Sequence, residues 1–376
     1  MPTTRPWFSI ALTLVLLSTS GFAEADPQSE FKLAYQAYQE QITAGDKHAA
    51  LPHAKRAWNL GKQLFGSDDA NTEMLAYNYA ANLLDTGHTR DAIELLDVVE
   101  SAFARRHGKT SVEWIAVMID LGSALASTNR SGGDGGDARA ASVFEEVLTA
   151  AKRLYGKQSL DVALLRMQAG DALANRARSV RASDYLRDAR KALTEHPEAT
   201  ARQRAQAHFL YGKFLVESQR YEQSISVLND AVQGFQGDSA NQDKLMAAHA
   251  GLVSAYEETG QRDAATDHCL AIAATIPASG NRKAHPLYQR PPQWPGSGSR
   301  RGAEVVLELQ ISAAGFVTHA DVLSNSGHDD FAEAALAVIR SWRFAPTFEQ
   351  GKPVASTGLQ SISFVRDPKP NVDRIF

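Results

Sequence analysis

The chain has 376 residues, which at roughly 150 per domain allows two to three domains. Hydrophobic residues make up 44% and charged residues 22%, a globular balance that excludes wholesale disorder. Lys and Arg number 39 against 43 Asp and Glu, a formal net charge of -4, so no basic excess points to nucleic acid. The one cysteine, Cys269, leaves no internal disulfide and no cysteine-based zinc site.

Arg5 precedes an 11-residue apolar run, Trp7 to Leu17, and a small, polar stretch follows that ends in Ala23-Glu24-Ala25. These are the three regions of a secretory signal, and the last fits the A-x-A cleavage rule. A spanning helix needs about 20 apolar residues, more than this run supplies. The expectation is a cleaved signal over residues 1–25. The alternative is an uncleaved anchor, and membrane contact follows only in that case. No cysteine follows the cleavage point, so no lipid is attached there. Cys269 lies at helical spacing between Ala265 and Ile272 and reads as a packing residue.

From about residue 31 to 276 a pattern recurs. The segments QLFGSDDANTEMLAYNYA, RRHGKTSVEWIAVMIDLG and RLYGKQSLDVALLRMQAG carry Gly66, Gly108 and Gly156, spaced 42 and 48 residues apart. The six extra residues fall in the glycine-rich stretch from Asn129 to Arg139. Within it, residues 132–137 match one GGxGxD unit of a calcium-binding β-roll, a motif that works only in tandem, so a flexible loop between helices is expected. Small and apolar residues recur where a helix-turn-helix pair needs them: Ala80, Leu83, Gly87, Ala92, Leu96 and Val99, then Gly170, Ala182, Leu186 and Ala189. Gly212, Leu215, Leu228 and Ala231 repeat them, as do Tyr256, Gly260, Ala265 and Ile272. The array resembles tetratricopeptide repeats in a 42-residue form, about six units over residues 26–276. The resemblance implies a solenoid that binds an unknown protein or peptide in its groove.

Residues 277–301 change character. Five prolines with glycines and basic residues mark a linker and the start of a new region. Beyond it, Glu304 to Ile311 alternates with period two, a strand with one buried face. Ala313-Ala314-Gly315 makes a turn into a second strand, Phe316 to Ser324. A helix opens near Ser326–Asp330 with Phe331, Ala335, Val338, Ile339 and Trp342 on one side, and Pro346 ends that run. Gly351-Lys352-Pro353-Val354 forms a turn before a last strand of about residues 357–365. The order is β-β-α-β, a small α+β domain over residues 302–376.

Gln293-Trp294-Pro295, the strand with its Gly315 turn, Ser326-Gly327-His328, Trp342-Arg343-Phe344-Ala345-Pro346 and Gly351-Lys352-Pro353-Val354 occur in that order. Together they resemble the C-terminal domain of TonB, the periplasmic energy transducer of Gram-negative bacteria. The fold expected for the chain is therefore an all-α tetratricopeptide-repeat solenoid followed by a small α+β TonB C-terminal-like domain. The sequence departs from that family at Ala303, where a glycine is usual, and at Ala332, where Asp is frequent. Upstream, where that family has an uncleaved anchor and a long proline-rich spacer, the expectation here is a cleaved signal followed by the repeats.

The resemblance implies that the last strand pairs with an extended segment of an outer-membrane TonB-dependent transporter. The residues implied are Gly358, Leu359, Gln360, Ser361, Ile362, Ser363 and Phe364, flanked by Gln293, Trp294 and Pro295. Gly315, Gly327, Trp342, Phe344, Pro346, Gly351 and Pro353 read as packing and turn residues of the family signature. No catalytic motif, metal site or cofactor motif is present: there is no HExxH, GxSxG or P-loop, and His208, His249, His268, His319 and His328 are scattered. Two functions follow as expectations. One is a periplasmic TonB-family protein that binds a transporter in TonB-dependent transport; the other is a soluble periplasmic repeat adaptor for envelope protein assembly, without energy transduction.

Overall fold

The computed structural model describes residues 26–128, 134–174, 179–275, 285–295 and 302–365. The segment read as a signal or anchor, residues 1–25, lies outside them. No helix among the described residues is long and apolar enough to cross a membrane. Contacts divide the chain into two compact units between Tyr185 and Leu186, inside a helix and well before the proline-rich stretch.

The first unit is built of helix pairs: α1 (Pro27–Ala44) with α2 (Lys47–Phe65), α3 (Ala70–Asp85) with α4 (Thr89–His107), and α5 (Val112–Thr128) with α6 (Asp134–Tyr155). Then come α7 (Leu160–Leu173) and α8 (Val180–Glu195), the helix that the division crosses. The sequence period has a local cause at each junction. Asp26, Asp69, Ser111 and Ser159 each offer a side-chain oxygen to a backbone N–H in the first turn of the next helix, filling a donor that the helix leaves open. Gly66 and Gly108 close the preceding helices at φ 90° and 84° with ψ 161° and 152°, a region open essentially to glycine alone. The glycines that made the repeat visible are thus the residues the turn requires. Helix α6 begins at Asp134, so the glycine-rich connection expected to be a loop gives its second half to a helix.

The second unit continues with α9 (Ala201–Glu217) against α10 (Tyr221–Phe235), and α11 (Gln242–Glu258) against α12 (Arg262–Ala273). Thr200 and Gln203 form a reciprocal capping box at the start of α9. Leu215, Leu228, Ala231, Leu252 and Ala265 have no exposed surface, as apolar positions between helices should.

The α+β part of this unit contains more strands than β-β-α-β. Pro286–Tyr288 is β1, inside the stretch read as linker, and it pairs with β4 (Arg343–Phe344). Proline is tolerated there because it opens the strand and gives up only one donor. β2 (Ala303–Ile311) is the centre of a three-stranded antiparallel sheet, between β3 (Val317–Asn325) and β7 (Ser356–Phe364). α13 (Asp329–Ile339) follows β3. β5 (Thr347–Glu349) and β6 (Lys352–Val354) form a hairpin, so only Gly351 of the expected 351–354 turn lies in the turn itself. The alternation along β2 is as regular as its sequence: Val305, Leu307 and Leu309 are fully buried, joined by Phe331, Ala335 and Ile339 of α13 and by Ile362 and Phe364 of β7.

Candidate functional site: an open sheet edge

Among the described residues β7 has one neighbour in its sheet, β2, and lies at an edge. The two strands match residue for residue from Ala303 opposite Phe364 to Ile311 opposite Ser356, with no register shift over nine pairs. Ile362 and Phe364 turn into the core, while Thr357, Leu359, Ser361 and Ser363 are exposed. From Ser356 to Phe364 there is no charged residue and no proline. A straight, uncharged edge of this kind is a template for another strand.

The opposite edge is defended. β3 meets β2 with register shifts at two places, beside Leu323 and beside Thr318, and it carries His319 and Asp321, whose side chains pair at 3.2 Å. Bulges and charges are the usual devices that stop an edge from recruiting a strand.

Of the residues that the resemblance implies for partner binding, Gly358 to Phe364 lie along the β7 edge. Gln293 is exposed beyond them, and Trp294 and Pro295 are half-buried. The Trp294 ring stands edge-on to Phe331 at 5.4 Å, and Phe331 stands against Phe364 at 5.0 Å. That chain of rings brings Trp294 towards the C-terminal end of β7. Ser361 donates to Glu304 across the strand pair at 2.6 Å, and Gln360 donates to the Ser361 carbonyl at 2.7 Å, so polar groups of this edge are oriented.

The signature residues hold the frame. Gly315 has φ 83° in the turn between β2 and β3, and a Cβ there would collide with the Phe344 carbonyl oxygen. Its own carbonyl accepts from Phe344 N–H at 3.0 Å, which fixes the turn against β4. Gly327 leaves no room for a side chain beside Ala303 and Phe331. Trp342 and Phe344 are core residues, Pro346 is buried next to them, and the Trp342 indole N–H donates to the Arg290 carbonyl at 2.9 Å. Gly351 takes φ 75° in the β5–β6 turn, and Pro353 lies on β6.

Two features escaped the sequence. Arg343, in the middle of the Trp342–Pro346 motif, is fully buried, and three of its acceptors lie about eighty positions upstream in α11 and α12. An arginine inside an apolar motif was the available signal. The histidines are not all scattered either: His249 of α11 and His268 of α12 meet Nδ1 to Nδ1 at 2.9 Å, with the Tyr256 ring stacked on His268. Burial, and then the neighbouring His249, lower the His268 pKa to about 4, so the pair is neutral at pH 7. Among the described residues no three His, Cys, Asp or Glu side chains are placed to hold a metal ion.

Residues 296–365 match the family model described as the Gram-negative bacterial TonB protein C-terminal. No curated protein matches the chain. Among solved structures, the chain is similar to a Rap protein complexed with competence and sporulation factor, at 13% identity and TM-score 0.44, covering 65% of this chain and 69% of that one. BtubC (BKLC) from P. vanneervenii matches at 13% identity and TM-score 0.40, over 57% of this chain and 92% of that one. A putative kinesin light chain with TPR-like repeats from Podosopora anserina matches at 15% identity and TM-score 0.32, over 64% and 90%. The C-terminal segment thus matches the TonB C-terminal model over residues 296–365, and paired helices precede it in the same chain.

Proposed function

We propose that this protein is a periplasmic binding protein of the TonB type that captures an extended segment of an outer-membrane TonB-dependent transporter along β7. The observation that carries this reading is the contrast between the two edges of one sheet: β3 is bulged and charged, β7 is straight and uncharged. A binding role of this kind asks for main-chain N–H and C=O groups and no catalytic side chain. Alternate side chains of the partner would lie beside Leu359, Ser361 and Ser363 on one face and towards Trp294 and Phe364 on the other. The helix pairs supply a second surface for a protein or peptide.

The docking of β1 and Arg343 onto the last helix pair favours a second reading, in which the protein is a repeat-held adaptor without energy transduction. Both readings use the same edge and differ in what the repeats hold.

The edge is tested by placing one charge on it. A synthetic peptide of the extended transporter segment, titrated into the full chain, should lose on the order of tenfold in affinity to Leu359→Lys, with thermal stability preserved because the side chain is already exposed. Unchanged affinity in a folded Leu359→Lys protein would reject β7 as the binding edge.

A further inference from the structure

We propose that the C-terminal domain has a second function, as the terminal cap of the helical repeats, with β1 and Arg343 as the sealing elements. This does not depend on what β7 binds. A stack of helix pairs ends in an apolar face, and an array needs a distinct terminal element to cover it. Here the last pair is α11 and α12, and the next helix among the described residues is α13, already inside the α+β domain. The face that would be left bare, Val253, Cys269 and Ile272, is buried against Tyr288 of β1, with Leu287 packed alongside.

Polar contacts fasten the same seam. The Arg343 guanidinium lies 3.7 Å from the Phe316 ring centroid and donates to Glu257 at 2.8 Å, to the Arg262 carbonyl at 3.1 Å and to the Thr266 hydroxyl at 3.0 Å. It also donates to the Ala314 carbonyl at 2.7 Å, so one side chain joins α11, α12 and the β2–β3 turn. Glu257 is equally buried and receives Arg262 as well, at 2.9 Å. Beside them the Tyr288 hydroxyl donates to Glu258 at 2.6 Å, and Arg290 reaches Glu258 at 3.2 Å. Removing Arg343 strips the buried Glu257 of one of its two cationic partners, and neutralising Glu257 leaves the Arg343 charge desolvated without its carboxylate. Neither side of the seam is therefore complete without the other: the helices lose the cover of Tyr288, and the domain keeps a buried cation.

Cys269 reports directly on the seal, because it is the only cysteine in the chain and lies beneath Tyr288. The experiment measures the rate at which a maleimide labels the native full-length protein. Wild type should label slowly. Arg343→Met on one side and Glu257→Gln on the other should each accelerate labelling at least about tenfold by opening the seam. The chemistry of the thiol cannot produce that result for Arg343→Met. Burial raises the Cys269 pKa to about 11 while the Arg343 charge pulls it down, so losing the arginine alone would slow the reaction. Hydrogen exchange on the same proteins supplies the reciprocal readout. Glu257→Gln, a helix-side change, should speed exchange at Arg343–Phe344 and in the turn at 312–316. Arg343→Met, a change in the domain, should speed it in Arg262–Ala273. Labelling at the wild-type rate in both variants, or exchange altered only on the mutated side, would overturn the cap.

Discussion

A guanidinium with no access to water must look for its partners inside the protein, and the two terminal nitrogens of Arg343 find four acceptors beside an aromatic face, while its buried Nε has no hydrogen-bond partner. Its flat fork reaches two helices and a turn at once, which a lysine could not do. The His249–His268 pair obeys the opposite rule: half-buried imidazoles with little nearby charge stay neutral. Its consequence is a pH dependence with a definite sign. The folded pKa of His268, about 4, lies below its ordinary value of 6.5. Between those values the unfolded chain takes up a proton that the native protein does not, so stability falls as pH drops through that window and is retained above it. Asp267 opposes the shift but ranks below burial and His249 among its causes. Thermal unfolding followed from pH 7 to pH 5 should show the melting temperature falling in wild type, with a shallower fall in His268→Gln. Equal slopes would show that the pair does not contribute.

The two edge strands of the sheet show how a binding element is distinguished from an ordinary one. β3 is irregular and charged, whereas nine matched pairs keep β7 straight. A strand added to β7 bonds through alternate amides only, since the others point away from the sheet. N-methylation of every second amide in the transporter peptide should therefore abolish binding in one phase and be tolerated in the other. Equal binding of the two methylated peptides would exclude main-chain pairing. Much of this architecture was legible in sequence. Period two is plain from Val305 to Ile311 because one face of β2 is buried and the other exposed. Helix pairs were legible through glycine, since few residues tolerate the backbone at Gly66 and Gly108. Short elements set by distant contacts were not. β1 is three residues long, begins with proline and owes its pairing to β4, more than fifty positions away. The partners of Arg343 were hidden for the same reason, because no local pattern encodes a contact across that separation.

At the scale of the whole chain, an array of helix pairs and a segment that matches the TonB C-terminal model occur together. Their junction is a packed seam. Tyr288 completes an apolar cluster on α11 and α12, while Arg343 carries charge into the same place from the other side. A transporter segment held on β7 would thus be held by a domain fixed to the last helix pair, so a load on that strand would pass into α11 and α12. The most direct test of strand capture is hydrogen exchange of the full-length protein with and without the transporter peptide. Saturating peptide should slow exchange in Ser356–Phe364 and leave Val317–Asn325 unchanged. If the peptide binds while Ser356–Phe364 exchanges at its original rate, or protects Val317–Asn325 instead, β7 is not the strand that receives it.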